Sequence, residues 1–316
     1  MVRGTIGAVS LTLPVAAAGP INGIVPPVAA LLCWIPYRAR AQELAREQRA
    51  VPGWRQGCYG AGLLVLALAL SYPVDDLADQ LLIAHMAEHL LIGDVAALLI
   101  VLGLTGPLLA PILRMRYVGR LRVLTHPVVA VVLWALNFYA WHLPALYQAA
   151  LRHDAIHALQ HASFLVFGIA MWMALLGPLP KPAWFSNAAR LLYIIIVRLA
   201  GTVLANVMIF SGTVLYPYYR ASDARWHISP MGDQIGAAGL MMVEESLLTI
   251  GLFCWLFLKI ASENEERQQL LDYALEHGIE LDERRAARAV AAGRGEDLLR
   301  RLKQRAPGEG IGAGSR

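Results

Sequence analysis

Apolar runs of about 20 residues recur along this chain, separated by short polar breaks, and they decide its fold class before any motif is considered. In hydrocarbon every backbone N–H and C=O must be bonded within the protein, so segments of this kind cross a bilayer as helices. Composition agrees: 57% of the 316 residues are hydrophobic and only 16% charged, against about a quarter charged in ordinary soluble domains. The mean hydropathy is +0.51. The expected fold is therefore all-α, a polytopic membrane bundle of about seven transmembrane helices.

The spans read at about 21–37, 57–72, 81–109, 127–146, 156–176, 188–213 and 235–260. Pro26 and Pro27 break the first, and Gly177-Pro178-Leu179-Pro180 ends the fifth. Arginine clusters follow alternate spans: Arg38, Arg40, Arg46, Arg49 and Arg55, then Arg114, Arg116, Arg120 and Arg122. The positive-inside rule puts those loops on the cytoplasmic side, which leaves the N-terminus outside and the C-terminus cytoplasmic. Residues 1–20 read as an extracytoplasmic leader or a weak signal segment, and residues 21–261 as the transmembrane domain. Residues 262–316 form a cytoplasmic tail, with two short amphipathic helices around Gly278 and a frayed Gly-rich end from Pro307. That tail is either a solvated stabilising element or a docking site for a partner.

The charge and cysteine content narrow the function classes. A net charge of +4 suits a bilayer protein with basic cytoplasmic loops, and no basic patch interleaved with aromatics calls for nucleic acid. Cys33, Cys58 and Cys254 are scattered, which argues against a disulfide framework, a zinc ribbon and c-type haem attachment. No GxSxG, HExxH or P-loop is present, so an enzyme is not expected.

Ionisable side chains are costly in hydrocarbon and mark tasks or partners. His85 and His89 stand one helical turn apart with Glu88 beside them, at the outer end of the third span. Alone, this pair reads equally as packed interfacial imidazoles or as two ligands. Topology adds His142 near the outer end of span four and the pair His157 and His161 in the first turns of span five, with His153 a turn earlier. Three helix ends thus bring imidazoles to one depth on one side, and His85, His89, His142, His157 and His161 are the candidate metal ligands. Glu88, His153, Met86, Met241, Met242 and Glu245 are secondary candidates.

Imidazole suits copper, zinc, iron and nickel, and a thioether adds a preference for Cu(I). Met208 also falls in an outer half-span, though methionine is more often core filling. Nearer mid-membrane, Asp94, Arg198, Glu244 and Glu245 read as an ion-pair group or, more sharply, as a proton or metal path. Asn137 and Asn206 are expected to make interhelical hydrogen bonds.

Several blocks carry a resemblance. They are Tyr72-Pro73-Val74-Asp75, then Ala84-His85-Met86-Ala87-Glu88-His89-Leu90-Leu91, then Leu102-Gly103 with Gly106-Pro107, and His126-Pro127. After them come Trp141-His142-Leu143-Pro144-Ala145-Leu146-Tyr147, Leu159-Gln160-His161-Ala162-Ser163-Phe164, and Asp233-Gln234 with Ala238-Gly239-Leu240. In this order the blocks resemble the CtaG-type cytochrome c oxidase assembly factors, over about residues 30 to 260. Around Met241–Glu245 the chain departs from the family's Trp-containing pattern. The matching histidines are His85, His89, His126, His142, His157 and His161.

The resemblance implies a multi-pass protein of a bacterial plasma membrane that helps build a haem–copper oxidase. It would bind copper, as Cu(I), and deliver it to the oxidase catalytic subunit, with an extracytoplasmic copper donor as a second partner. Two other readings stay open at this point. One is a haem-binding oxidoreductase with paired histidine ligands, and the other is a metal or ion permease using the mid-membrane charges.

Overall fold

The computed structural model describes residues 24–115, 119–291 and 293–305. The expected leader at 1–20, Arg116 and the Gly-rich end from Pro307 lie outside the described residues. Among the described residues there are helices and no strands. In chain order they are α1 (Val25–Arg46), α2 (Gly53–Ala69), α3 (Val74–Ala78), α4 (Leu82–Leu90), α5 (Ala97–Gly103) and α6 (Gly106–Arg114). Then follow α7 (Pro127–His142), α8 (Pro144–Ala150), α9 (Asp154–Leu175), α10 (Asn187–Phe210), α11 (Arg220–Arg225), α12 (Pro230–Glu276), α13 (Glu283–Ala291) and α14 (Gly295–Arg305).

A π turn, Leu91–Ala96, joins α4 to α5, so that Leu82–Gly103 runs as one 22-residue span. Asp154–Leu175, Asn187–Phe210 and Pro230–Glu276 are also long and apolar enough to cross a membrane. The α7–α8 pair, bent by 79°, makes a fifth if it counts as one span. The first two expected spans are helices but fall short of that standard. α2 has 17 residues, about 25 Å at 1.5 Å each, less than a hydrocarbon core of about 30 Å. α1 takes Arg38, Arg40, Glu43 and Arg46 into its last turns, which leaves only its first half apolar.

Proline and glycine punctuate the chain as expected from their backbone chemistry. Pro107, Pro127 and Pro144 each open a helix, where the missing N–H costs nothing. Leu143, extended ahead of Pro144, is the corner between α7 and α8.

The chain divides into two units, Met1–Phe185 with Ile195–Glu245, and Ser186–Ile194 with Ser246–Arg316. In the first, α9 is the most buried of the candidate spans and packs against α7, the π turn and α5. Lipid tails are as apolar as leucine, so such helices associate through close backbone approach rather than hydrophobic burial. Glycine permits it here: a Cβ on Gly168 of α9 would run into the Gly93 carbonyl of the π turn, and one on Gly62 of α2 would lie 2.8 Å from the Ile100 nitrogen. Arg55 donates to the Leu102 and Leu104 carbonyls at 2.9 and 3.1 Å, and the Tyr37 hydroxyl to Gly103 at 3.0 Å. Together they satisfy the orphan carbonyls at the end of α5.

The second unit is a helical tail with its own core. α12 continues without a break to Glu276, and Gly278 reverses the chain with a φ of +63°, a conformation glycine adopts without strain. Leu270, Ala286, Val290 and Leu302 then bury one another, flanked by Leu271, Tyr273 and Leu298. The amphipathic faces of α13 and α14 are thereby covered by this unit itself, and each large apolar side chain buried contributes about 1.5–3 kcal/mol.

Candidate metal centre

The Asp233 carboxylate, in the first turn of α12, accepts the Leu82 and Ile83 backbone N–H groups at 2.6 and 3.0 Å and caps α4 from across the fold. That fixes the helix from which His85 and His89 project. α9 supplies His157 and His161 at the same helical spacing. Each of these four imidazoles offers a ring nitrogen, and the four nitrogens all lie within 4.8 Å of one another. Ring centroids are 4.3 Å apart for His85–His89, 4.2 Å for His157–His161, 5.2 Å for His85–His157 and 5.4 Å for His89–His161.

His85, His89 and His161 are buried and His157 is half-buried. Both ring nitrogens of His85 and of His89 are buried without a hydrogen-bond partner, as are Nε2 of His157 and of His161. The Ala78 carbonyl lies beside His85 but out of bonding geometry. A buried polar atom left without a partner costs about 1–3 kcal/mol. Several converging on one point are what a site for a cation requires, and the imidazole donor set fits copper, zinc, iron or nickel.

Glu88 is fully buried, with Oε2 3.6 Å from His161 Nε2. It places one carboxylate beside the four rings. Above them lie tyrosines. Tyr147 and Tyr219 have ring centroids 5.1 and 6.5 Å from His85, their hydroxyls are 3.3 Å apart, and Tyr219 also donates to the Ala78 carbonyl at 3.3 Å. Tyr216 donates to the His142 carbonyl at 2.8 Å. Gln234 holds the connection that carries Tyr216 and Tyr219, donating to the Met208 carbonyl and accepting from the Leu215 N–H, both at 2.8 Å.

The remaining candidates fall elsewhere. His142 donates from Nδ1 to the Phe138 carbonyl at 2.7 Å and leaves Nε2 buried without a partner. It sits behind Phe164 and Tyr147, whose rings border both it and the cluster, and is not one of the four converging residues. His153 is exposed at the N-cap of α9. Met86 is buried but projects about 100° round the helix from His85. Met241 is buried and Met242 half-buried on α12.

Glu245 belongs to a separate group. It accepts from Thr202 Oγ1 at 3.1 Å, while Arg198 lies 3.4 Å from Asp94 and 3.9 Å from Glu244 and stacks over Trp172 at 5.7 Å. The structural reading of those mid-membrane charges, an ion-pair group, is therefore the one observed. Asn137 and Asn206 differ from expectation. Each bonds within its own helix, accepting from Trp141 at 3.1 Å and donating to the Thr202 carbonyl at 2.7 Å. Residues four apart on a helix reach each other more easily than residues on a neighbouring helix.

The sequence pattern of one family, described as cytochrome c oxidase caa3 assembly factor, matches residues 31–263. The chain belongs to this family. The His85–His89 and His157–His161 pairs, Glu88 and Asp233 all lie inside the matched region. Two curated relatives are the Uncharacterized protein Mb0105 of Mycobacterium bovis and the Uncharacterized protein MT0111 of Mycobacterium tuberculosis. Each is 25% identical over 264 residues, an alignment that covers 76% of this chain and 40% of the relative. The chain thus spans about 40% of the length of these relatives. No solved structure matches it.

Asp233, Tyr147 and Tyr219 were not singled out as site residues from sequence. Asp233 and Tyr147 stand in the blocks of the resemblance, but their tasks are long-range and leave no local periodicity to read.

Proposed function

We propose that this family member binds Cu(I) at His85, His89, His157 and His161 and passes it to the catalytic subunit of a haem–copper oxidase. The observation carrying this reading is the convergence of four imidazole nitrogens within 4.8 Å, most of them buried and lacking hydrogen-bond partners. Neutral imidazole is the form that ligates metal. Glu88, buried beside His161, supplies negative charge against a bound cation in a poorly solvated site. All-imidazole ligation holds copper more loosely than a thiolate cage, which suits a carrier. His157, the half-buried member, is the natural point of exchange with an extracytoplasmic donor and with the oxidase.

The protein acts in this reading as a carrier, not as an enzyme. It is a multi-pass plasma-membrane protein in which α1 and α2 complete a set of seven spans, with the N-terminus outside and the C-terminus cytoplasmic. The four rings converge on a point, which favours a single ion over a haem, whose paired ligands must oppose each other across a macrocycle.

The test is anaerobic purification with Cu(I), followed by metal analysis and a visible spectrum, for the wild type and His85→Ala/His89→Ala. One copper per chain, lost in the variant, supports the proposal. A Soret band with bound haem, or copper retained by the variant, overturns it.

A further inference from the structure

At the end of the first unit that carries the arginine-rich connection, a cavity of about 200 Å³ is lined by Arg122, Thr125, His126, Leu179, Lys181 and the prolines Pro180 and Pro182. Three of these seven side chains are basic and none is acidic. The sequence has no Asp or Glu between Asp94 and Asp154, nor between Asp154 and Asp223. Arg114, Arg120 and Arg122 therefore have no acidic residue within their own stretch of chain.

His126 is among the histidines matched by the resemblance, yet it takes no part in the four-imidazole cluster. Its Nδ1 is buried without a hydrogen-bond partner, and its ring lies 5.9 Å from that of Trp184, which is exposed. Lys181 donates to the Met173 carbonyl and is thereby held at the end of α9. Thr125 donates to the Arg122 carbonyl at 2.9 Å, fixing the turn that presents the guanidinium.

The position within the fold limits the occupant. The cavity lies where α7 begins and just beyond where α9 ends, and both helices belong to candidate spans. That is the depth at which hydrocarbon gives way to headgroups, where an exposed tryptophan is also at home. Guanidinium and ammonium groups set around a small cleft are the ordinary means of holding a phosphate oxygen. Basic pockets between spanning helices take anionic headgroups in this way.

We propose that this cavity binds a phosphate group, supplied by the headgroup of an anionic phospholipid. Arg122 and Lys181 pair with the phosphate oxygens, His126 donates the third contact, and the prolines pack against the glycerol. The bound headgroup ties the turn before α7 to the proline-rich break after α9. This proposal is independent of the metal reading, since it uses none of the same residues.

Native mass spectrometry of the full chain, purified in detergent and titrated with phosphatidylglycerol or phosphatidylcholine, tests it. The wild type is expected to retain one phosphatidylglycerol and no phosphatidylcholine. Arg122→Gln/Lys181→Gln should weaken retention by about tenfold or more. Arg122→Gln alone, which leaves the Lys181–Met173 bond in place, should show part of that loss at unchanged helicity. Arg152→Gln, an exposed arginine outside this cavity, should show none. Equal retention by wild type and Arg122→Gln/Lys181→Gln, or equal retention of the two lipids, would overturn the proposal. A parallel titration with inorganic phosphate separates the two sources: binding of phosphate without phosphatidylglycerol overturns the lipid assignment.

Discussion

Asp233 holds Leu82 across 151 residues of sequence: its carboxylate accepts the Leu82 N–H at 2.6 Å and so caps a helix to which it does not belong. A charged acceptor on a helix N-terminus contributes about 1–2 kcal/mol. Asp233→Ala should therefore lower stability by that amount and loosen copper binding, because the cap orients His85 and His89. Denaturant unfolding in detergent together with copper titration checks both effects.

Within the site, His161→Ala and His142→Ala should behave differently. His161 is one of the four converging residues, whereas His142 lies behind Phe164 and Tyr147. Copper stoichiometry should fall in the first variant and hold in the second. Equal loss in both would mean that His142 is a ligand after all.

Glu88→Gln removes the buried carboxylate beside His161. Affinity for Ag(I), a monovalent probe, should fall about tenfold, the equivalent of 1.4 kcal/mol. The preference of the site for Ag(I) over Zn(II) should change with it. Competition titrations with the two ions read that preference directly.

Arg198 lies between Asp94 and Glu244 at 3.4 and 3.9 Å. Arg198→Leu leaves those carboxyl groups in a buried setting without their cation, at a cost of about 3–5 kcal/mol. Asp94→Asn/Arg198→Leu should recover part of that loss. A double-variant that is no more stable than Arg198→Leu alone would show that the pair is uncoupled.

Asp223 is 1% exposed. Burial, and then the neighbouring Asp233 carboxylate, push its pKa from 3.8 up to about 6. Because the folded-state value lies above the unfolded one, ionised Asp223 destabilises the fold above about pH 6. That cost is relieved as pH falls from about 6 toward 3.8. The melting temperature of the wild type should therefore rise between pH 7.5 and pH 5.5 relative to that of Asp223→Asn.

What the sequence shows of this protein is local. The i, i+4 pairs His85–His89 and His157–His161 each put two rings on one helix face, and the arginine clusters set both pairs at one depth. That was enough to expect their convergence. The separation of His142 from the four converging rings was not legible, because it depends on where Phe164 and Tyr147 place their rings. The task of Asp233 was hidden for the same reason: a cap supplied by a distant segment leaves no mark near the helix it caps. Asn137 and Asn206 were read as bridges between helices, yet the bond each makes is to an indole or a carbonyl one turn away. The length of α1 was not legible either, because an apolar run in sequence does not tell how far charged residues continue the same helix.

The π turn at Leu91–Ala96 places one more residue in a turn than an α-helix does. Every side chain beyond it is displaced about 100° round the axis relative to an uninterrupted helix. The same span thus has two independent phases. Before the slip it turns His85 and His89 toward His157 and His161 of α9, and after it α5 packs against α2 at the Gly62–Ile100 and Gly103–Tyr59 approaches. One helix thereby serves as ligand carrier before the slip and as anchor after it.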